Sequence, residues 1–82
     1  MLLLLVLNIH PASVVVQEAL GAARNAQTIG RSQDAANQLR LVVAHEPWRV
    51  WLWEQIGNEE VNAGRLPQAV DAFTHADAAG HL

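Results

Sequence analysis

The fold is decided by residues 47–80, PWRVWLWEQIGNEEVNAGRLPQAVDAFTHADAAG. From Pro47 the apolar positions Val50, Trp53, Ile56, Gly57 and Val61 recur at spacings of three and four. That spacing puts side chains on one face of a helix, whereas a half-buried strand alternates at every second residue. Pro47 suits a first helical position, where the N–H it lacks has no partner. Gly64 reads as a stop, because glycine reaches positive φ without a Cβ clash. Pro67 then opens a second helix with the stripe Ala69, Val70, Phe73 and Ala76, ended by Gly80. The stretch predicts a helical hairpin, with helices at about 48–63 and 67–79.

The same grammar occurs upstream. Residues 11–21, PASVVVQEALG, lie over residues 47–57, PWRVWLWEQIG, without gaps at an offset of 36. Pro11 meets Pro47, Glu18 meets Glu54, Leu20 meets Ile56 and Gly21 meets Gly57. Further on, Gly30-Arg31 meets Gly64-Arg65, Ala35 meets Ala69 and Leu39 meets Phe73, now at an offset of 34. The difference falls between Gly21 and Gly30, as a longer first helix or turn. Helices follow at about 12–27 and 32–44, the second with Ser32 as N-cap, Asp34 in its first turn and the stripe Ala35, Ala36, Leu39, Val42 and Val43. At an offset of 36, Leu3, Leu5, Val6 and Leu7 also meet Leu39, Leu41, Val42 and Val43. Residues 1–10 therefore read as the orphan second helix, at about 2–9, of a preceding unit. The expected architecture is all-α: one domain, 1–82, forming an α-solenoid of antiparallel helix pairs. Its parts are the orphan helix 1–10, a first unit 11–46 and a second unit 47–82, about two and a half units.

This pattern resembles the tetratricopeptide repeat, a unit of roughly 34 residues. In the second unit the matching residues are Trp53, Ile56-Gly57, Gly64, Ala69, Phe73 and Ala76. Glu60 stands where the family has a tyrosine. The first unit matches through Leu20-Gly21, Gly30, Ala35, Leu39, Val42 and Pro47, and has Gln17 in place of the aromatic. The resemblance implies small residues, Gly57 and Ala69, facing each other across the helix pair, with Trp53 and Phe73 filling the space beside them.

Composition narrows the function. The chain has 82 residues and a formal net charge of −3, with five Lys+Arg (all arginine) against eight Asp+Glu. Duplex nucleic acid requires a basic face, so nucleic-acid binding is not expected. Alanine supplies 14 residues and tyrosine none, which favours helix over sheet. Without cysteine there is no disulfide framework, thiolate site or cysteine nucleophile. The histidines His10, His45, His75 and His81 have no His-x3-His spacing, and the serines Ser13 and Ser32 form no nucleophile elbow. No metal, cofactor or catalytic activity is expected, and Glu59-Glu60 reads as a solvated face. The apolar run Leu2–Leu7 is far short of the about 20 residues that span a bilayer. It also lacks the basic start of a secretory signal. A cytoplasmic location is expected, with export or membrane association the alternative.

The resemblance implies a groove lined by first helices. Its positions fall on Val15, Glu18 and Ala22 in the first unit and on Trp51, Glu54 and Asn58 in the second, with Asn62 one turn on. Trp51, Glu54, Asn58 and Asn62 share a helix face, and Trp48 extends the stripe. Trp51 is either an anchor for a partner or packs on a neighbouring unit. Glu18 beside Glu54 would form an acidic patch, selecting a neutral or basic protein or peptide. The carboxylate clamp known in some family members is not expected: the chain has no lysine, and only Asn58 matches it. The reading is a non-catalytic protein- or peptide-binding scaffold, a fragment of a longer array. Its alternatives are self-assembly through exposed terminal helices and an exported module using Leu2–Leu7.

Overall fold

The structure, a computed structural model, describes residues 11–80. The expected helix at 2–9, the run Leu2–Leu7, His10 and His81 lie outside them. Among the described residues there are four helices and no strand: α1 (Pro11–Thr28), α2 (Ser32–His45), α3 (Leu52–Asn62) and α4 (Leu66–Gly80). The β-branched run Val14–Val16 is helical, as part of α1. Consecutive helices pack on one another, α1 on α2, α2 on α3 and α3 on α4. The molecule extends 49 × 34 × 16 Å. Its short dimension is that of two helix layers, since packed helix axes lie about 8–10 Å apart.

Two turns of identical design make the hairpins. After α1, the Gly30 N–H donates to the Gln27 carbonyl at 3.2 Å and the Arg31 N–H to the Ala26 carbonyl at 2.8 Å. After α3, the Gly64 N–H donates to Val61 at 3.0 Å and the Arg65 N–H to Glu60 at 2.8 Å. These are the paired bonds of a Schellman motif, which satisfies helix-end carbonyls by sending one residue to positive φ. That residue is Gly30 at φ 78° and Gly64 at φ 76°. The bonds Ile29 to Asn25 and Ala35 to Arg31 recur as Ala63 to Glu59 and Ala69 to Arg65. Every bond of the first turn therefore has its counterpart 34 residues on.

α1 is continuous from Pro11 to Thr28. The two extra residues are thus absorbed as helix length, and the 36-residue alignment does not hold in three dimensions. Counted back from the turn, the counterpart of Gly57 is Ala23, not Gly21. Burial agrees: Ala23 and Ala26 are buried, as are Gly57 and Glu60. Two residues on a continuous helix rotate a side chain by roughly 200°, so a letter-by-letter match put Gly21 on the wrong face.

The link between the hairpins also departs from expectation. α3 begins at Leu52 instead of near 48. Across residues 46–53 the N–H groups of Arg49, Leu52 and Trp53 reach back three residues, to the carbonyls of Glu46, Arg49 and Val50. Such bonds make tight turns rather than an α-helical ladder. An ion pair between the Arg49 guanidinium and the Glu46 carboxylate clasps this segment. Pro47 and Trp48 lie in that turn, so Trp48 does not extend an α3 stripe. Ser32 is the first residue of α2 rather than its cap; Arg31 holds the cap position without a side-chain hydrogen bond.

The core joins all four helices: Val16, Ala19 and Ala23 from α1, Ala36, Leu39, Val42 and Val43 from α2, Leu52 and Ile56 from α3, and Ala72 from α4. Each fully buried branched side chain, such as Ile56 or Val42, contributes about 1.5–3 kcal/mol. Val50 and Val61, expected in the α3 stripe, are exposed; Leu52 and Glu60 take their places. On α4 the inward side is Ala69 and Ala72, while Val70 is 64% exposed and Phe73 36%. The α2 residues 34 positions earlier, Ala36 and Leu39, are buried, because α3 follows α2 and lies against it.

Candidate functional site

α1 and α3 both pack on α2. Near their C-terminal ends they are joined by a hydrogen bond from Gln27 Nε2 to Glu59 Oε2 at 2.8 Å. Towards the start of α3 they leave a depression of about 290 Å³. Its floor is apolar: Leu20 and Ala23 from α1, Leu39 from α2 and Leu52 from α3. Its rim is Arg24 and Gln27 on one side and Arg49, Trp51 and Gln55 on the other. Trp51 sits just before α3, in helical backbone conformation, and is 56% exposed. An exposed indole is a large rigid contact surface with little rotamer freedom to lose. The volume lies at the small end of the about 300–1,000 Å³ of sites that enclose small molecules. It suits one or two side chains of a partner better than a cofactor.

The residues expected in a groove divide. Trp51, Glu54, Asn58 and Asn62 are all exposed, on or next to α3, opposite its buried face. Val15, Glu18 and Ala22 do not join Trp51 at the depression. Ala22 lines a separate depression between α1 and α2, with Asn25, Ile29, Asp34 and Gln38. Glu18 is exposed on that other flank of α1, so it does not build an acidic patch at Trp51. The reason is the register. At the 34-residue spacing of the turns, the α1 counterparts of Trp51, Glu54, Asn58 and Asn62 are Gln17, Leu20, Arg24 and Thr28. Two of these, Leu20 and Arg24, line the depression beside Trp51. The glycine-to-glycine spacing, nine residues from Gly21 to Gly30 against seven from Gly57 to Gly64, was the available signal.

A second cluster overturns the reading of Glu59-Glu60 as a solvated face. Glu60 is fully buried. Its Oε2 accepts a hydrogen bond from Arg40 Nη2 at 3.0 Å, tying α3 to α2. Its Oε1 lies 3.1 Å from Arg65 Nε, an ion pair off the hydrogen-bonding direction. Two guanidinium groups thus compensate one buried charge, which alone would be strongly unfavourable. Arg40 also lies 6.0 Å from the Trp53 ring centre, within cation–π reach. On Trp53 the imidazole of His75 is stacked, with centroids 4.2 Å apart and planes 18° from parallel. His75 Nδ1 is 2.9 Å from the Asp71 carbonyl, to which it donates. Glu60 therefore serves as an internal tie. The available signal was Arg65: a residue just past a turn glycine is bonded back to the residue five before it, which is Glu60.

A Cβ built on Gly57 would lie 2.6–2.7 Å from the Phe73 ring. The same atom on Gly21 would meet nothing within 4 Å. Among the described residues, no group of three His, Asp or Glu side chains is placed to hold a metal ion. No helix there is long and apolar enough to cross a membrane. No family model, curated protein or solved structure matches the chain.

Proposed function

We propose that this chain is a non-catalytic, protein- or peptide-binding helical repeat of tetratricopeptide type. The observation that carries the reading is Trp51, an exposed indole at the mouth of an apolar-floored depression between the first helices of two like hairpins. A solvated tryptophan has an apolar surface that water covers at a free-energy cost. Supporting the repeat type are the two Schellman turns at a 34-residue spacing and the Phe73 ring against Gly57. Glu54, Asn58 and Asn62 continue the surface along α3, and the Asn58 amide can both donate to and accept from a peptide backbone.

Selection of binders from a random peptide library, followed by calorimetric titration against two variants, tests the reading. A desolvated aromatic anchor is worth about 2–4 kcal/mol, whereas an exposed rim charge is worth about 0–1 kcal/mol. Trp51→Ala should therefore weaken binding at least about fivefold more than Glu54→Gln. Equal affinities for Trp51→Ala and the parent would remove Trp51, and the depression with it, from the function.

A further inference from the structure

We infer that the α1–α3 depression selects an acidic side chain that neighbours a bulky apolar one. This rests on the proposed binding reading and supplies its chemistry. In a chain of net charge −3, the depression is lined by two arginines, Arg24 and Arg49, and by no carboxylate. Arg49 is neutralised by Glu46, which lies outside the lining. Glu59, also outside it, is engaged by Gln27 from the rim. Arg24 is exposed and forms no ion pair among the described residues. A guanidinium with five donors and no acceptor is a specific receptor for a carboxylate. Beside Arg24 the accessible apolar surface is that of the exposed Trp51 indole and the half-buried Leu20, so the residue next to that carboxylate is a leucine-like or aromatic one. The expected preference for neutral or basic partners depended on Glu18 standing beside Glu54. The register puts Arg24 on this surface instead, and the preferred charge reverses.

The probes are three peptides with acetylated and amidated ends. They share a central leucine and differ only in flanking it with two glutamates, two glutamines or two lysines. Binding is read from chemical-shift changes of the Trp51 indole N–H and the Leu20 and Arg24 amides. The glutamate peptide should bind about fivefold more tightly than the glutamine peptide, the scale of an exposed charge-assisted contact, and the lysine peptide more weakly than both. Arg24→Gln should erase the glutamate advantage, Arg24→Lys should keep part of it, and 0.5 M salt should shrink it. Lysine binding as well as glutamate, or an advantage that survives Arg24→Gln, overturns the inference and leaves the binding reading standing. Silence of these signals towards all three peptides removes both.

Discussion

The α1–α2 hairpin buries alanines between its helices, Ala19, Ala23 and Ala26 from one and Ala35 and Ala36 from the other. The α3–α4 hairpin has the same turn, bond for bond, yet holds a phenyl ring against Gly57, a Trp53–His75 stack and a buried Glu60. The backbone is therefore fixed by the turn and by helix continuity, and quite different side chains can fill the frame. One position shows how a single residue redirects its neighbours. The residue bonded back to by the arginine after each turn is Ala26 in the first hairpin and Glu60 in the second. Arg65 consequently turns inward to the buried Glu60, while Arg31 reaches only the exposed Asp34, at 3.9 Å.

The largest contrast between the hairpins lies at this position. Glu60→Ala leaves Arg40 and Arg65 half-buried without their shared carboxylate, and breaking such a buried pair costs about 3–5 kcal/mol. Arg31→Ala removes one exposed contact and should change stability by less than about 0.5 kcal/mol. Urea unfolding measures both. A Glu60→Ala loss no larger than that of Arg31→Ala would show that Glu60 is solvated in the folded protein.

The next contrast should vanish. Gly30 and Gly64 have φ values of 78° and 76°, so alanine at either must enter the left-handed region at a cost of about 1–2 kcal/mol. The two losses, read from thermal melting, should agree within about 0.5 kcal/mol. A loss at one turn alone would break the equivalence of the hairpins.

The features legible in the sequence are those set by local chemistry. Gly30 and Gly64 marked both turns, and three-and-four spacing marked the helices that flank them. The start of α3 was hidden because Pro47 is equally at home in a helix's first turn and in the tight turn it occupies. The orientation of α1 was hidden because Pro11, Glu18 and Gly21 match Pro47, Glu54 and Gly57 by letter, while a continuous helix obeys distance from the turn. At the candidate site, Trp51 stood out because it shares a helix face with Glu54, Asn58 and Asn62. Arg24 was missed because its place beside Trp51 follows from that same register. Glu60 has a local partner in Arg65, but its other partner, Arg40, is twenty residues away, and no local pattern announces it.

The register is tested most directly by putting alanine at the two glycines that the sequence aligned. At Gly57 the new Cβ runs into the Phe73 ring, and the overpacking, about 1–3 kcal/mol, exceeds the gain of about 1 kcal/mol in helix propensity. At Gly21 the Cβ meets open space, and only the gain of about 0.5–1 kcal/mol remains. Thermal melting should therefore lower the midpoint for Gly57→Ala, raise it for Gly21→Ala, and show Gly57→Ala turning neutral or stabilising in a Phe73→Ala background. A midpoint that falls by the same amount at both glycines would contradict the account, since it would place Gly21 in the close contact that the structure gives to Gly57.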